Sequence, residues 1–167
     1  MKKLLLFAAV SMIVLSSCMG QGKEQRKSPH DTVSTANVKV TYGRPYKKGR
    51  VIFGGLEKYG QVWRTGADEA TEITFTKDGT FGGQPVKAGT YTLFTIPAEN
   101  EWTVILNSEL GQWGAYGYDK AKDKDVLKVK VPASKTASPV EQLTLTLPNN
   151  GLVIAWDNTS VTVPYSF

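Results

Sequence analysis

The feature that most constrains this chain is its division into short alternating segments. "VKVTY" (38–42), "TEITFTK" (71–77), "EWTVILN" (101–107), "VLKVKV" (126–131), "EQLTLTL" (141–147), "GLVIAW" (151–156) and "SVTVPY" (160–165) are rich in β-branched and aromatic residues. In "VKVTY" and "TEITFTK" the apolar side chains recur at every second position, the period of a strand with one buried face. "GTYTLFTIP" (89–97) carries apolar residues on both faces. Turn-forming "KDGT", "GGQP", "KAGT", "PAEN", "PNNG" and "DNTS" separate the segments. No capped helical stripe is present, apart from a short turn suggested in "GGLEKYG" (54–60). The expectation is an all-β fold: an antiparallel, jelly-roll-like β-sandwich of about eight or nine short strands. Pro164 cannot donate to a ladder, so the last strand is expected at an edge or to end there.

Two long connections break the rhythm, Gly43 to Ala70 and Leu110 to Asp125. Long loops in compact domains often carry function. Sandwich loops cluster at the sheet ends, which brings these two within reach of one another without requiring that they meet.

The amino terminus reads "MKKLLLFAAVSMIVLSSC". Two lysines, an apolar run from Leu4 to Leu15 and a small-residue stretch make an export signal over 1–17. The run is shorter than the roughly 20 apolar residues a membrane span needs. Its "LSSC" ending resembles the lipobox of bacterial lipoproteins, which implies that Cys18 becomes the lipidated first mature residue. Two acyl signals hold a protein stably where one is marginal. Cys18 is the only cysteine, so no intramolecular disulfide and no thiolate metal cluster exist. The expected organisation is a signal peptide over 1–17, a lipidated cysteine with a flexible tether over 18–32, and a β-domain over 33–167. Cleavage removes Lys2 and Lys3 from the 20 basic residues, and 18 against 15 acidic ones leave a net +3. That is not the charge of a nucleic-acid binder. The expected location is the cell envelope, at the outer membrane.

"SPHDT", "YGRPYKKGRVIFG", "YGQVWRTGADEATEITFTKD", "AGTYTLFTIPAENEWTVILN" and "QWGAYGYD" together resemble domain-of-unknown-function family 2911, exported proteins of diderm bacteria. The likeness covers about His30 to Asp119 and is weaker beyond. The family pattern has Asn where this chain has Asp68. The resemblance implies export and a domain boundary, and it supplies no reaction.

Within "VWRTGADEAT" (62–71), Gly66 suggests a turn and Arg64 offers a planar fork of donors for a carboxylate or phosphate. Either Arg64 grips an anionic ligand while Trp63 stacks on it, or Arg64 pairs internally with Glu69 or Glu72 and Trp63 is core. "YGRPYKKGR" (42–50) is basic and aromatic, with Arg44 restricted by Pro45; its lysines bind an acidic group or are simply solvated. "QWGAYGYD" (112–119) sets Trp113, Tyr116 and Tyr118 beside glycines, either as a ligand shelf or as an aromatic plug. The one histidine, His30, neighbours Asp31, but no G-x-S-x-G accompanies it and one histidine makes no two-histidine zinc site. No cofactor motif and no metal set are expected. "DKAKDKD" (119–125) lacks the glycine of a calcium loop. "PAENEW" (97–102) puts Glu99 and Glu101 in a turn, where exposed charge is ordinary.

The leading expectation is a non-catalytic binding module for a small or glycan-like, anionic ligand, using Arg44, Trp63, Arg64, Glu69, Trp113, Tyr116 and Tyr118. A hydrolase using Glu69 or Glu72 as acid or base, and an assembly lipoprotein contacting an envelope protein, stand as alternatives. The hydrolase requires a loop cleft with a carboxylate whose pKa is raised by burial. The assembly role requires a flat apolar patch.

Overall fold

The computed structural model describes residues 25–149 and 151–167. The signal segment and Cys18 lie outside the described residues. The chain is all-β, with one short helix. The strands are β1 (His30–Ser34), β2 (Val38–Gly43), β3 (Glu72–Phe75), β4 (Gly79–Phe81), β5 (Gln84–Val86), β6 (Gly89–Ile96), β7 (Glu101–Asn107), β8 (Asp125–Thr146) and β9 (Gly151–Ser166). Helix α1 (Tyr118–Ala121) lies between β7 and β8. The neighbouring strands pair antiparallel in the order β1-β2-β3-β6-β7-β8-β9-β4-β5.

The alternating segments form strands, but four of them fuse in pairs. "VLKVKV" and "EQLTLTL" are the two ends of the 22-residue β8. "GLVIAW" and "SVTVPY" merge into the 16-residue β9. The intervening "PASKTASP" and "DNTS" do not turn the chain back. Register shifts between Lys135 and Val140 and between Val140 and Thr144 absorb the first as bulges. The second bends at Asp157, which has φ 53°. The consequence is one open nine-stranded sheet: β8 pairs with β7 up to Pro132 and with β9 from Ala133.

Residues from both halves of this sheet share one core. Val40, Ile73, Phe75, Leu93 and Val104 from β2, β3, β6 and β7 pack with Leu143, Leu145, Ile154 and Val163 from β8 and β9. The Tyr42 hydroxyl accepts the Leu145 N–H at 3.0 Å, and a bridge between Tyr46 and Gln142 ties the end of β2 to the far half of β8.

Three local features differ from expectation. "HDTVS" forms edge strand β1, paired with β2 from His30↔Gly43 to Ser34↔Lys39, so the domain begins before Val33. "GGLEKYG" forms turns and an isolated bridge between Phe53 and Glu57 instead of a helical turn. β9 runs through Pro164, whose carbonyl accepts the Gly82 N–H at 2.7 Å while β4 pairs only beyond it. Among the described residues no helix is long and apolar enough to cross a membrane.

The two-sided apolar pattern of β6 has a physical reason. Phe94 of β6 and Ile105 of β7 belong to a second, smaller core with Ala70 and Tyr118, flanked by Val62, Ile96 and Ala115. Both long loops contribute to it, so they cover the sheet's second face.

Candidate functional site

The long loops meet. Ala70 N–H donates to Gln112 O at 2.8 Å, Gly114 N–H donates to Asp68 O at 2.9 Å, and Glu69 bridges Trp113 in antiparallel fashion. The first loop is also stitched to β6, where Trp63 and Thr95 exchange backbone hydrogen bonds of 2.7 and 3.0 Å. Gly43, at the loop's start, is required by contact: a methyl there would lie 1.9 Å from Ala67 O. Thr65 sits at φ 56° and is fully buried, an outlier for a β-branched residue. Its hydroxyl meets that of Thr95 at 3.1 Å, and its carbonyl accepts from Thr71 Oγ1 at 2.9 Å. Backbone strain held this firmly is characteristic of functional loops.

Between the loops lies a cleft of about 350 Å³ lined by Leu56, Glu57, Val62, Trp63, Arg64, Ala115 and Tyr116. That is the lower end of the range for small-molecule sites. Trp63 is its floor. The indole is only 3 % exposed and packs against Phe53, Trp102 and Trp156, with Nε1 donating to Gly66 O at 3.2 Å. A stacking role at the surface is therefore not available to Trp63. Arg64 lies half-buried above it. Its Nε donates to Gly66 O at 3.3 Å, and among the described residues it forms no ion pair. Gly114, at φ 67°, makes room for it: a methyl there would sit 2.9 Å from Arg64 Nη1 and 2.7 Å from the Tyr116 ring. Tyr116 is 84 % exposed and Leu56 44 %, giving the cleft an apolar rim.

Glu57 is the residue that sequence reasoning missed. Burial pushes its carboxyl up to about 6, against the partial opposition of Arg64 and then Arg50. Nothing in "GGLEKYG" announces this, because the desolvation comes from long-range folding. A carboxyl whose folded pKa exceeds its unfolded value of 4.5 binds more protons folded than unfolded between those values, so it subtracts stability as pH rises through that window. Glu57→Gln is expected to match the parent near pH 4.5 and to be the more stable protein above about pH 6. Urea denaturation at the two ends of this range measures the difference.

The other predicted residues have structural partners and do not line the cleft. Arg44 spends its guanidinium on Leu143 O (Nε, 3.0 Å), Thr144 Oγ1 (Nη2, 3.1 Å) and Asp31 Oδ2 (Nη1, 3.3 Å), which ties β2 to β8. Tyr118 is buried edge-on to Phe94 and donates its hydroxyl to Asp125 Oδ2 at 2.7 Å; burial, then Asp125, raises its pKa. Trp113 is half-buried beside the loop–loop bridge. Glu69 lines a smaller concavity of about 140 Å³ with Arg26, His30 and Glu72. It accepts from Arg26 Nε at 2.7 Å and lies 3.0 Å from His30 Nε2. Burial pushes its carboxyl up, but its own N–H, Arg26 and His30 outweigh burial and hold it below the ordinary value. Glu72 accepts the Gly111 N–H at 3.0 Å. Glu69, held below the ordinary carboxylate value, does not match the raised-pKa acid that the hydrolase reading needs.

Asp68 explains its own position. It sits at φ 64°, where Asp and Asn are tolerated best after glycine. Its Oδ2 accepts the N–H groups of Lys27 and Ser28 at 3.0 and 2.9 Å. This is an acceptor's role, which an Asn carbonyl would fill equally, so the expected Asn-for-Asp difference at this position needs no change of contacts. Among the described residues no group of three or more His, Cys, Asp or Glu is placed to hold a metal.

No curated protein and no solved structure matches the chain. A family profile matches residues 24–165, from the segment held by Asp68 through both loops to the end of β9. The chain therefore belongs to the family described as protein of unknown function (DUF2911).

Proposed function

We propose that this chain is an envelope lipoprotein, anchored through Cys18, whose loop cleft binds a small anionic or glycan-like ligand. The observation that carries the reading is Arg64: a half-buried guanidinium that forms no ion pair among the described residues, in a concave site where it acts on Glu57 only through its field. A planar fork of donors suits a carboxylate or phosphate, and Tyr116 and Leu56 supply apolar surface for the body of such a ligand. Arg44, Glu69, Trp113 and Tyr118 support the loops that frame the cleft and are not part of the proposed contact set. Thermal-shift screening of uronic acids and sugar phosphates beside their neutral parent sugars tests the reading. Stabilisation confined to the anionic members is expected, and a panel without any shift would count against it.

A second reading rests on Glu57. A carboxyl that titrates near pH 6 beside an arginine has the properties of a general acid or base. The cleft then serves hydrolysis, with Glu57 in the role that the sequence suggested for Glu69 or Glu72. Turnover of chromogenic glycosides or esters by the parent, lost in Glu57→Gln while ligand binding persists, is the result this reading requires.

A further inference from the structure

A third concavity, of about 320 Å³, opens where the N-terminal segment joins the domain. Lys27, Lys48 and Arg50 line it with Pro29 and Tyr46, and no carboxylate is among its lining residues. The basic groups are exposed, and their backbones are fixed. Lys27 and Ser28 are held through their N–H groups by Asp68. Lys48 stands in a left-handed turn at φ 51°, its N–H donating to Glu141 Oε1 at 2.9 Å. Arg50 donates Nε to Lys47 O at 2.8 Å and Nη2 to Tyr46 O at 2.6 Å, which pins its guanidinium without neutralising it. Lys47 is paired with Asp157 and takes no part. Tyr46 and Val51 are exposed beside these charges. An exposed aromatic and an aliphatic next to these cations suit a polar–apolar boundary better than bulk water.

The position of this face relative to the anchor is set by chain length. Six residues separate Cys18 from Gln25, the first described residue, and a fully extended chain covers at most about 25 Å over those seven steps. Lys27 follows two residues later. The point at which the chain enters the domain therefore stays close to any surface that holds Cys18.

We infer that the Lys27–Lys48–Arg50 concavity docks the domain on the anionic phospholipid headgroups of the membrane that anchors Cys18. This rests on the anchoring part of the proposed function and is independent of what the loop cleft binds. Three cations alone hold a protein to a membrane only weakly. The tether converts docking into an intramolecular event with a high effective concentration, so weak contacts suffice to orient the domain.

The test uses the mature chain from Cys18 onward, coupled through its single thiol to a maleimide lipid in vesicles. The chemical anchor makes the result independent of lipidation in the cell. Amide hydrogen exchange at 26–28 and 46–51 is compared on phosphatidylcholine vesicles and on vesicles that also contain phosphatidylglycerol. Exchange is expected to slow roughly tenfold on the anionic vesicles and to recover at high salt, where charges beyond about 3 Å are screened. Lys27→Gln with Lys48→Gln should abolish the difference; Arg50 is left intact because it holds its loop. Equal exchange on both vesicle types overturns the inference. So does equal protection by soluble glycerophosphate on neutral vesicles, which marks a soluble-anion site. Palmitate labelling of the parent and Cys18→Ser in cells reads the anchor separately, and absence of labelling in the parent removes the premise.

Discussion

Replacing Trp102 with alanine is expected to cost about 3–5 kcal/mol of folding stability, the range for a large buried aromatic. Trp102 is fully buried in a cluster that also holds Phe53, Trp63 and Trp156. Phe53 is the hub: its ring centroid lies 4.7 Å from Trp102, 5.7 Å from Trp63 and 6.3 Å from Trp156. Three of the four rings arise far apart in sequence, on the first long loop, β7 and β9, so the cluster joins that loop to both halves of the sheet. Phe53 is bridged to Glu57 and Trp63 precedes Arg64, so a cavity at Trp102 also loosens the floor of the cleft. Urea denaturation with an unchanged slope would show the loss to be one of stability, and Trp102→Phe, which keeps a ring against Phe53, should recover most of it.

Asp157→Asn is the second large effect. Asp157 Oδ1 lies 2.6 Å from Lys47 Nζ, with side chains 11 % and 21 % exposed. Breaking a buried pair by removing one partner costs about 3–5 kcal/mol, because the remaining charge stays desolvated. The expected loss here is roughly 3 kcal/mol, the low end, since Lys47 keeps some access to water. Asparagine is the informative choice: it tolerates the left-handed backbone at φ 53° and removes the charge while keeping the shape, giving up besides it only one acceptor of the two that meet Lys47 Nζ and, at 3.5 Å, the Ile52 N–H. If the loss comes from the stranded ammonium, Lys47→Met in the Asp157→Asn background should restore much of it. A double-mutant cycle by chemical denaturation measures that coupling.

These two sites show how far local sequence reaches. The alternation in "VKVTY" and "TEITFTK" identifies β2 and β3, because each buries every second side chain in the shared core. The two-sided "GTYTLFTIP" signals that something covers the outer face of β6, and the long loops do. The fused strands were not legible, because "DNTS" carries the chemistry of a turn while Asp157 supplies a bend that keeps the strand running. β1 was hidden by its polar composition; it is an edge strand paired with β2 alone. Among the candidate residues, Arg44 and Arg64 look alike in sequence, each within two residues of an aromatic in a long loop. What separates them is partners about 100 residues away: Leu143 and Thr144 occupy Arg44, whereas among the described residues no comparable set reaches Arg64. Glu57 lay beyond sequence reading for the same reason, since its raised pKa is created by burial in the folded loop.

The central claim is that Arg64 serves a ligand and not the fold, and its most direct test is the unfolding free energy of Arg64→Ala. With one 3.3 Å hydrogen bond to Gly66 O and no ion pair among the described residues, the substitution should cost no more than about 1 kcal/mol. It should also erase any thermal shift that anionic sugars produce in the parent. A loss of roughly 3–5 kcal/mol would instead mark Arg64 as half of a buried pair and contradict the account.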